Sequence, residues 1–319
     1  VKITEKVDGI TLVPQNRLCL TPPCPKAVKM ELTAKCNFKC KFCATADKLR
    51  PQGEMDKEFF KRITKEMREA GVEEIGHFFL GESFLCKWLP WSIEWVKKEC
   101  GFPYSFITTN GGPHTTPERM KECMQAGLDS MKFSLNFADE KQFAEITRMP
   151  PKVFAMVVQH IKDAYNIRKE NGYKCGLYTS SIRYNDEQVE KMEPLLAELE
   201  PYVDEHYWLP LYSQANLTGK TMEKMGGKPV KGNFGRWGVD ESKQVNACFA
   251  LFSEARITYD AKLSGCCFNH THEFDCGDLN NMTFMECWHS QKYINLRKAM
   301  LAGDMTGTAC EDCWEYTVQ

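Results

Sequence analysis

"KCNFKCKFCATA", Lys35 to Ala46, places three cysteines at 36, 40 and 43 of a 319-residue chain. C-x3-C-x2-C on one loop can bring three thiolates onto one metal centre. A zinc loop more often presents paired C-x2-C or C-x2-H halves and closes at four ligands. A cubane iron–sulfur cluster is likewise saturated by four thiolates. Three thiolates therefore suggest a cluster with one open iron. Two blander readings stand beside it: a zinc site completed by a distant residue, or plain buried thiols.

The surrounding residues set the fold. "VKMELT" alternates as a strand that runs straight into the cysteines. Asp56 is placed to cap a helix over roughly 57–70, with Phe59, Phe60, Ile63 and Met67 on one face and Gly71 at its end. Strand patterns follow at "EEIGHFFLGES", "YSFITTNGG", "SMKFSLN", "YKCGLYTSSIRY" and "VDEHYWLPLY". Between them fall helix patterns at about 88–99, "TPERMKECMQAG", about 139–147, 151–170 and 186–200. Alternation of this kind over 29–212 predicts parallel βα units, in a barrel or a doubly wound sheet. Such sheets collect ligands at the carboxyl ends of their strands, where "CNFKCKFC", "LGES", "TTNGG" and "SLN" all fall.

Residues 1–28 read as a polar lead-in, 213–245 as a Gly- and Lys-rich connection or lid, and 246–319 as a second domain with seven of the sixteen cysteines. In that domain "ARITYDAKLSGCCF" predicts a hairpin and "FMECWHSQKYINLRKAMLAG" one amphipathic helix. A formal charge of −2, spread along the chain, offers no basic patch for nucleic acid and no polybasic run for a membrane. No apolar stretch is long enough to span a bilayer, and the N-terminus lacks the pattern of an export signal. The expectation is a cytoplasmic protein with reduced thiols, whose clustered cysteines are metal ligands. The scattered ones (Cys19, Cys24, Cys86, Cys100, Cys123, Cys175) read as small buried hydrophobes.

With these features the chain resembles the radical S-adenosylmethionine (SAM) superfamily. That family's motif is C-x3-C-x2-C with an aromatic before the last cysteine, matched by Cys36, Cys40, Phe42 and Cys43. The resemblance implies an α/β chain with a partial (β/α)6 barrel, a [4Fe–4S] cluster on the three cysteines, and SAM on the fourth iron. The family's second strand typically ends in G-G-E-P. Leu80-Gly81-Glu82-Ser83 departs at two of the four positions but keeps a glycine for close approach and a carboxylate for the SAM amino group. "TTNG" (Thr108 to Gly111) and "FSLN" (Phe133 to Asn136) lie where the family sets polar strand ends against SAM. The resemblance thus assigns Phe42, Gly81, Glu82, Ser83, Thr109, Asn110, Ser134, Asn136 and Ser180 to cofactor binding.

The C-terminal cysteines resemble the auxiliary-cluster domain of the SPASM/twitch branch, which opens C-x9–15-G-x4-C. Cys248 and Cys266 fit, with Ala261 at the glycine position, a departure expected to relax the hairpin. Together with Cys310 and Cys313 they imply one closed auxiliary [4Fe–4S] cluster, the twitch arrangement. No cysteine follows Cys313 to build a second. A zinc ribbon of the same four cysteines is the alternative. Cys267 reads as an alternate ligand or a buried thiol. Cys276 and Cys287 read as structural, with hydrogen-atom donation a lesser role for Cys276, and His270 and His272 as loop residues.

The implied reaction cleaves SAM reductively to a 5′-deoxyadenosyl radical, takes a substrate hydrogen atom and oxidises the substrate radical through the auxiliary cluster. That would dehydrogenate a small molecule such as a sugar, aminocyclitol or amino-acid derivative, with a flavodoxin- or ferredoxin-type electron donor. Arg183, Tyr184, Tyr207 and Gln214, at or beyond late strand ends, are the candidates to meet the substrate. The alternative is a peptide maturase that crosslinks or epimerises a ribosomal peptide. Only 35 residues precede Cys36, so no separate leader-binding domain is expected, which favours the small molecule. A third reading is a non-catalytic zinc-binding protein.

Overall fold

The computed structural model describes residues 2–212, 214, 215, 217, 218, 235–239, 247–311 and 313. Most of the 213–245 connection lies outside the described residues. Six parallel strands pair in chain order: β1 (Ala27–Met30), β2 (Glu74–Gly76), β3 (Tyr104–Thr109), β4 (Ser130–Ser134), β5 (Gly176–Ile182) and β6 (Glu205–Leu209). The helices are α1 (Ile3–Thr11), ahead of β1, then α2 (Lys57–Glu69), α3 (Leu89–Glu94), α4 (Pro117–Gln125), α5 (Glu140–Thr147), α6 (Val153–Asn171) and α7 (Asp186–Leu199). This is the α/β partial barrel that the resemblance implies. Among the described residues no helix is long and apolar enough to cross a membrane.

Local chemistry explains the elements. Asp56 Oδ1 accepts from Phe59 N at 2.8 Å and starts α2, whose Phe60, Ile63 and Met67 are fully buried. They share one hydrophobic cluster with Val28 and Met30 of β1 and Ile75 of β2, each side chain contributing about 2 kcal/mol by burial. Lys29, between Val28 and Met30, points the other way and lines the barrel cavity. Where β2 meets β3, a Cβ on Gly76 would stand 2.9 Å from the Phe106 ring. Glycine is what lets that ring fill the lumen.

Three features were not legible in the chain. First, the predicted hairpin, β7 (Glu254–Ile257) and β8 (Lys262–Ser264), docks on the barrel itself. β7 runs parallel to β1, from Ala27↔Glu254 to Met30↔Ile257, and β9 (Asp275–Asp278) completes a nine-stranded sheet. Ala261 does not relax the turn. It holds φ +66°, and its N–H donates to Thr258 O at 3.0 Å, at a cost of about 1 kcal/mol that a glycine would avoid.

Second, the single C-terminal helix is two, Phe284–Trp288 and Gln291–Ala302. Thr283 and Glu286 form a capping box on the first, and Ser290 caps the second. The fully buried Arg297 secures the second helix by donating to the carbonyls of Leu251 at 2.7 Å, Trp288 at 2.8 Å and Leu20 at 3.1 Å.

Third, α1 lies within the lead-in and crosses the amino ends of the strands. Thr4 Oγ1 donates to Glu205 Oε1 at 2.6 Å, and Lys6 Nζ stands 3.4 Å from Glu74 and 3.7 Å from the Tyr104 ring centre. Arg236 grips Asp8 with two bonds of 2.8 and 2.6 Å. Ile3, Val7 and Ile10 face the lumen and form its floor.

His77, just past β2, is fully buried with Ser105 Oγ and Ser92 Oγ each 2.9 Å from its ring nitrogens. Burial lowers its pKa from 6.5 to about 3. The unfolded chain takes up this proton near 6.5 and the folded chain only near 3, so the stability it confers is complete above 6.5 and lost as the pH falls. His77→Gln should remove that loss. Between about pH 6 and pH 4, urea unfolding of the variant should show a free energy falling by about 1.4 kcal/mol per pH unit less steeply than in the parent.

Candidate active site

The loop after β1 is held from three sides. Glu31, fully buried, is bound by Arg50 and accepts from Tyr259 N at 3.2 Å, which ties the loop to the β7–β8 turn. Lys39 N and Lys41 N donate to Thr147 O and Ile146 O at 3.0 and 2.9 Å, which ties it to the end of α5. Cys43 N donates to Cys40 O at 3.0 Å. Burial pushes the Cys36 thiol up to about 12, with the Glu82 carboxylate adding to it, and holds Cys40 well above its usual 9.0, with Cys43 and Cys36 adding to it. A metal cation held between them would favour the thiolate form of Cys36 and Cys40, which burial disfavours. Among the described residues no group of three His, Cys, Asp or Glu is placed to hold a single metal ion. A four-iron cluster, where each thiolate takes a different iron, suits such a donor set.

Against this loop lies "LGES". A Cβ on Gly81 would fall 2.0 Å from Thr33 O and 2.8 Å from Lys35 O, and Glu82 N donates to Lys35 O at 2.9 Å. Glu82 is 4% exposed. Its carboxylate accepts from Thr109 Oγ1 at 2.8 Å, Phe84 N at 3.1 Å and Asn110 N at 2.8 Å. Burial raises its pKa despite these donors. Ser83 Oγ donates to His77 O at 2.8 Å, and Asn110 Nδ2 reaches Asn37 Oδ1 at 2.9 Å. Cys36, Glu82, Thr109 and Asn110 therefore come together at the ends of β1, β2 and β3. Further round the sheet Asn136 Oδ1 accepts from Ile182 N at 2.9 Å. Ser134, Ser180 and Tyr207 form one row across β4, β5 and β6.

The second cysteine set gathers beside β7. Cys248 immediately precedes the short helix Phe249–Phe252, Cys266 Sγ accepts from Phe268 N at 3.3 Å, and Cys313 N donates to Cys310 O at 3.1 Å. Contact with Cys267 is the first cause holding the Cys266 thiol well above 9.0, followed by burial and the charge of Cys310. Burial takes Cys310 to about 12, with Cys248, Cys276 and Cys267 adding to it. Cys276 itself is buried, its Sγ 3.4 Å from Phe274 O.

Between the two sets lies a cavity of about 390 Å³. Phe42, next to Cys43, forms part of one wall, and Cys267 and Phe268, next to Cys266, part of another. Tyr207, Ser134 and Gln214 also line it. Gln214 Oε1 accepts from Ala44 N at 3.0 Å and lies 3.1 Å from His270 Nε2, so it stitches the first cysteine loop to the second. Arg183 and Tyr184 are not among the lining residues. Arg183 pairs with Asp186 at 2.5 Å and stacks on Trp237. Tyr184 packs on Phe42 and donates to Asn136 O at 3.3 Å. His272 pairs with Asp275 at 3.0 Å. Sequence reasoning missed the charged lining, Lys29, Lys132, Glu254 and Arg256. Its signal was a polar residue at every second strand position.

Comparison with known proteins agrees with this architecture. The model of the radical SAM superfamily matches residues 30–196, and that of the SPASM iron–sulfur cluster-binding domain matches 248–314. A GTP 3′,8-cyclase of Chlorobaculum tepidum is 24% identical over 269 residues, 76% of this chain and 78% of its own length. BtrN in complex with AdoMet and 2-DOIA shares the fold at a TM-score of 0.58 and 15% identity, over 90% of this chain and 92% of that one. SuiB of Streptococcus suis bound to its precursor peptide SuiA does so at 0.65 and 13%, over 93% and 71%. [4Fe–4S] clusters and SAM are the cofactors that these domains imply. The chain belongs to the radical SAM superfamily and carries an iron–sulfur SPASM domain at its C-terminal end.

Proposed function

We propose that the chain is a radical SAM oxidoreductase that dehydrogenates a small molecule held in the barrel cavity. In this reading residues 29–212 form the catalytic barrel and 246–319 the auxiliary-cluster domain. One observation carries it: a single cavity of about 390 Å³, within the range of small-ligand sites, touches the neighbours of both cysteine sets through Phe42 and Cys267.

Cys36, Cys40 and Cys43 would hold the open cluster, and Cys248, Cys266, Cys310 and Cys313 a closed one. When bound, SAM on the open cluster supplies a hydrogen-abstracting radical and the closed cluster an electron acceptor. The chain's own task is placement. Gly81 lets its loop close on the Thr33 carbonyl. Glu82 offers a charge-assisted acceptor to the SAM amino group, and Thr109 and Asn110 fix that carboxylate. Ser134, Asn136 and Ser180 supply the polar strand ends beyond it, and Ser83 anchors the Glu82 loop to β2. Phe42 and the apolar floor of α1 keep water from the reacting carbon. Tyr207 and Gln214 line the chamber that the substrate would occupy.

Anaerobic reconstitution followed by iron and sulfide counting should give about eight irons per chain, and about four in the Cys36→Ala, Cys40→Ala, Cys43→Ala variant. A variant with none would remove the auxiliary cluster, and zinc without iron would remove the catalytic reading. With dithionite, or a flavodoxin- or ferredoxin-type donor, the protein should form 5′-deoxyadenosine. Deuterium carried into it from a small molecule supports the proposal, and deuterium carried only from a peptide would make the protein a peptide maturase. Glu82→Gln should weaken SAM binding about tenfold or more in equilibrium dialysis, with iron content unchanged.

A further inference from the structure

Six charged side chains line the barrel cavity, and their charges do not balance. Lys6, Lys29, Lys132 and Arg256 face Glu74 and Glu254. Both carboxylates are already engaged. Glu74 lies 3.4 Å from Lys6 Nζ and 3.9 Å from Lys26 Nζ. Glu254 receives Lys29 Nζ at 2.8 Å on one oxygen and Arg256 Nη2 at 3.0 Å on the other. The ammonium of Lys132, in the middle of β4, has no ion pair or hydrogen bond among the described residues. Its Nζ stands over the Tyr207 ring, 5.6 Å from the centre.

Lys132 is half-buried against the cavity, and an ammonium group with little water and no direct counter-charge is costly. Burial lowers this amine to about 8, with Glu254 as the charge pulling it back up. Two residues along the same face of β4, Ser134 also lines the cavity, and Tyr207 closes the row from β6. One cation, one hydroxyl and one phenol thus face the same space.

We propose that Lys132 anchors an oxyanion of the substrate, a carboxylate or a phosphate, inside the barrel. This rests on reading the cavity as the substrate chamber, and it narrows the substrate to an acidic small molecule. One negative group at Lys132 would meet the unpaired charge without disturbing the Lys29–Glu254–Arg256 set. Tyr207 borders the same space from β6.

The test uses the full chain loaded with its clusters under anaerobic conditions. Reductive methylation by formaldehyde and a borane is followed at Lys132 by peptide mass spectrometry, in sodium phosphate, sodium acetate or sodium chloride of equal ionic strength. An oxyanion should slow Lys132 about tenfold relative to chloride, while the exposed Lys87 keeps its rate. Protection by phosphate alone assigns a phosphate ester, by acetate alone a carboxylate, and by both an oxyanion anchor open to either.

Calorimetry of the same salts needs no reagent access. Binding should survive in Lys132→Arg and vanish in Lys132→Met, with iron content matching the parent as the check on folding. Equal rates in all three salts, or equal binding heats in Lys132→Met and the parent, overturn the proposal. If oxyanions protect Lys132 but no 5′-deoxyadenosine is formed, the anchor stands and the radical reading falls. If 5′-deoxyadenosine forms without protection, the reverse holds.

Discussion

Strand β1 is four residues long and hydrogen-bonded on both edges, to β2 on one side and to β7 on the other. Everything of functional interest is arranged about that shared strand. Cys36, Cys40 and Cys43 follow its carboxyl end. Cys248 precedes the amino end of β7, which runs in the same direction. The two cysteine sets therefore lie toward opposite ends of one pair of strands, a span of about 13 Å for four residues. The lumen between them opens beside Lys29 and Arg256, which face each other in that register. A slip of β1 by one residue would turn Lys29 out of the cavity and put Val28 and Met30 into it.

The approach of two loops completes the first site. Gly81 sits where any side chain would strike the Thr33 and Lys35 carbonyls, so the chain can bring Glu82 within the influence of Cys36. A buried carboxylate with three donors is an ordered acceptor. It also raises the pKa of the Cys36 thiol beside it. A carboxylate and thiols pressed together out of water make a site that is incomplete without positive charge, which a metal cluster with a charged amine would provide.

Much of this could be read from the chain because it is local. The C-x3-C-x2-C spacing, Asp56 as a cap, the glycine before Glu82 and the alternation of strands and helices each depend on residues close in sequence. What could not be read depends on partners far away. Ile3, Val7 and Ile10 become a floor only when Glu74, Tyr104 and Glu205 are brought to one end of the sheet. The hairpin of β7 and β8 was foreseeable, but its pairing with β1 joins Ala27 to Glu254, which no local pattern encodes. Arg183 and Tyr184 follow the last residue of β5, so strand-end position alone drew attention to them. The side chain of Arg183 turns to Asp186 and Trp237, and that of Tyr184 to Phe42. Ser290 shows the same limit on a smaller scale: it fits the polar side of one long helix, yet it serves as the cap that divides two.

Arg256 has a further consequence. It shares Glu254 with Lys29, so the trio keeps one positive charge, and its guanidinium is close enough to feel the thiol sulfurs of Cys248 and Cys267. A fixed cation of that kind favours the more negative state of any redox group held by those thiolates, and so raises its reduction potential. A cluster on that side of the cavity would thereby be biased toward its reduced state. In the proposed reaction the protein's own charges, as well as the chemistry of its cofactors, would then favour electron flow toward that side.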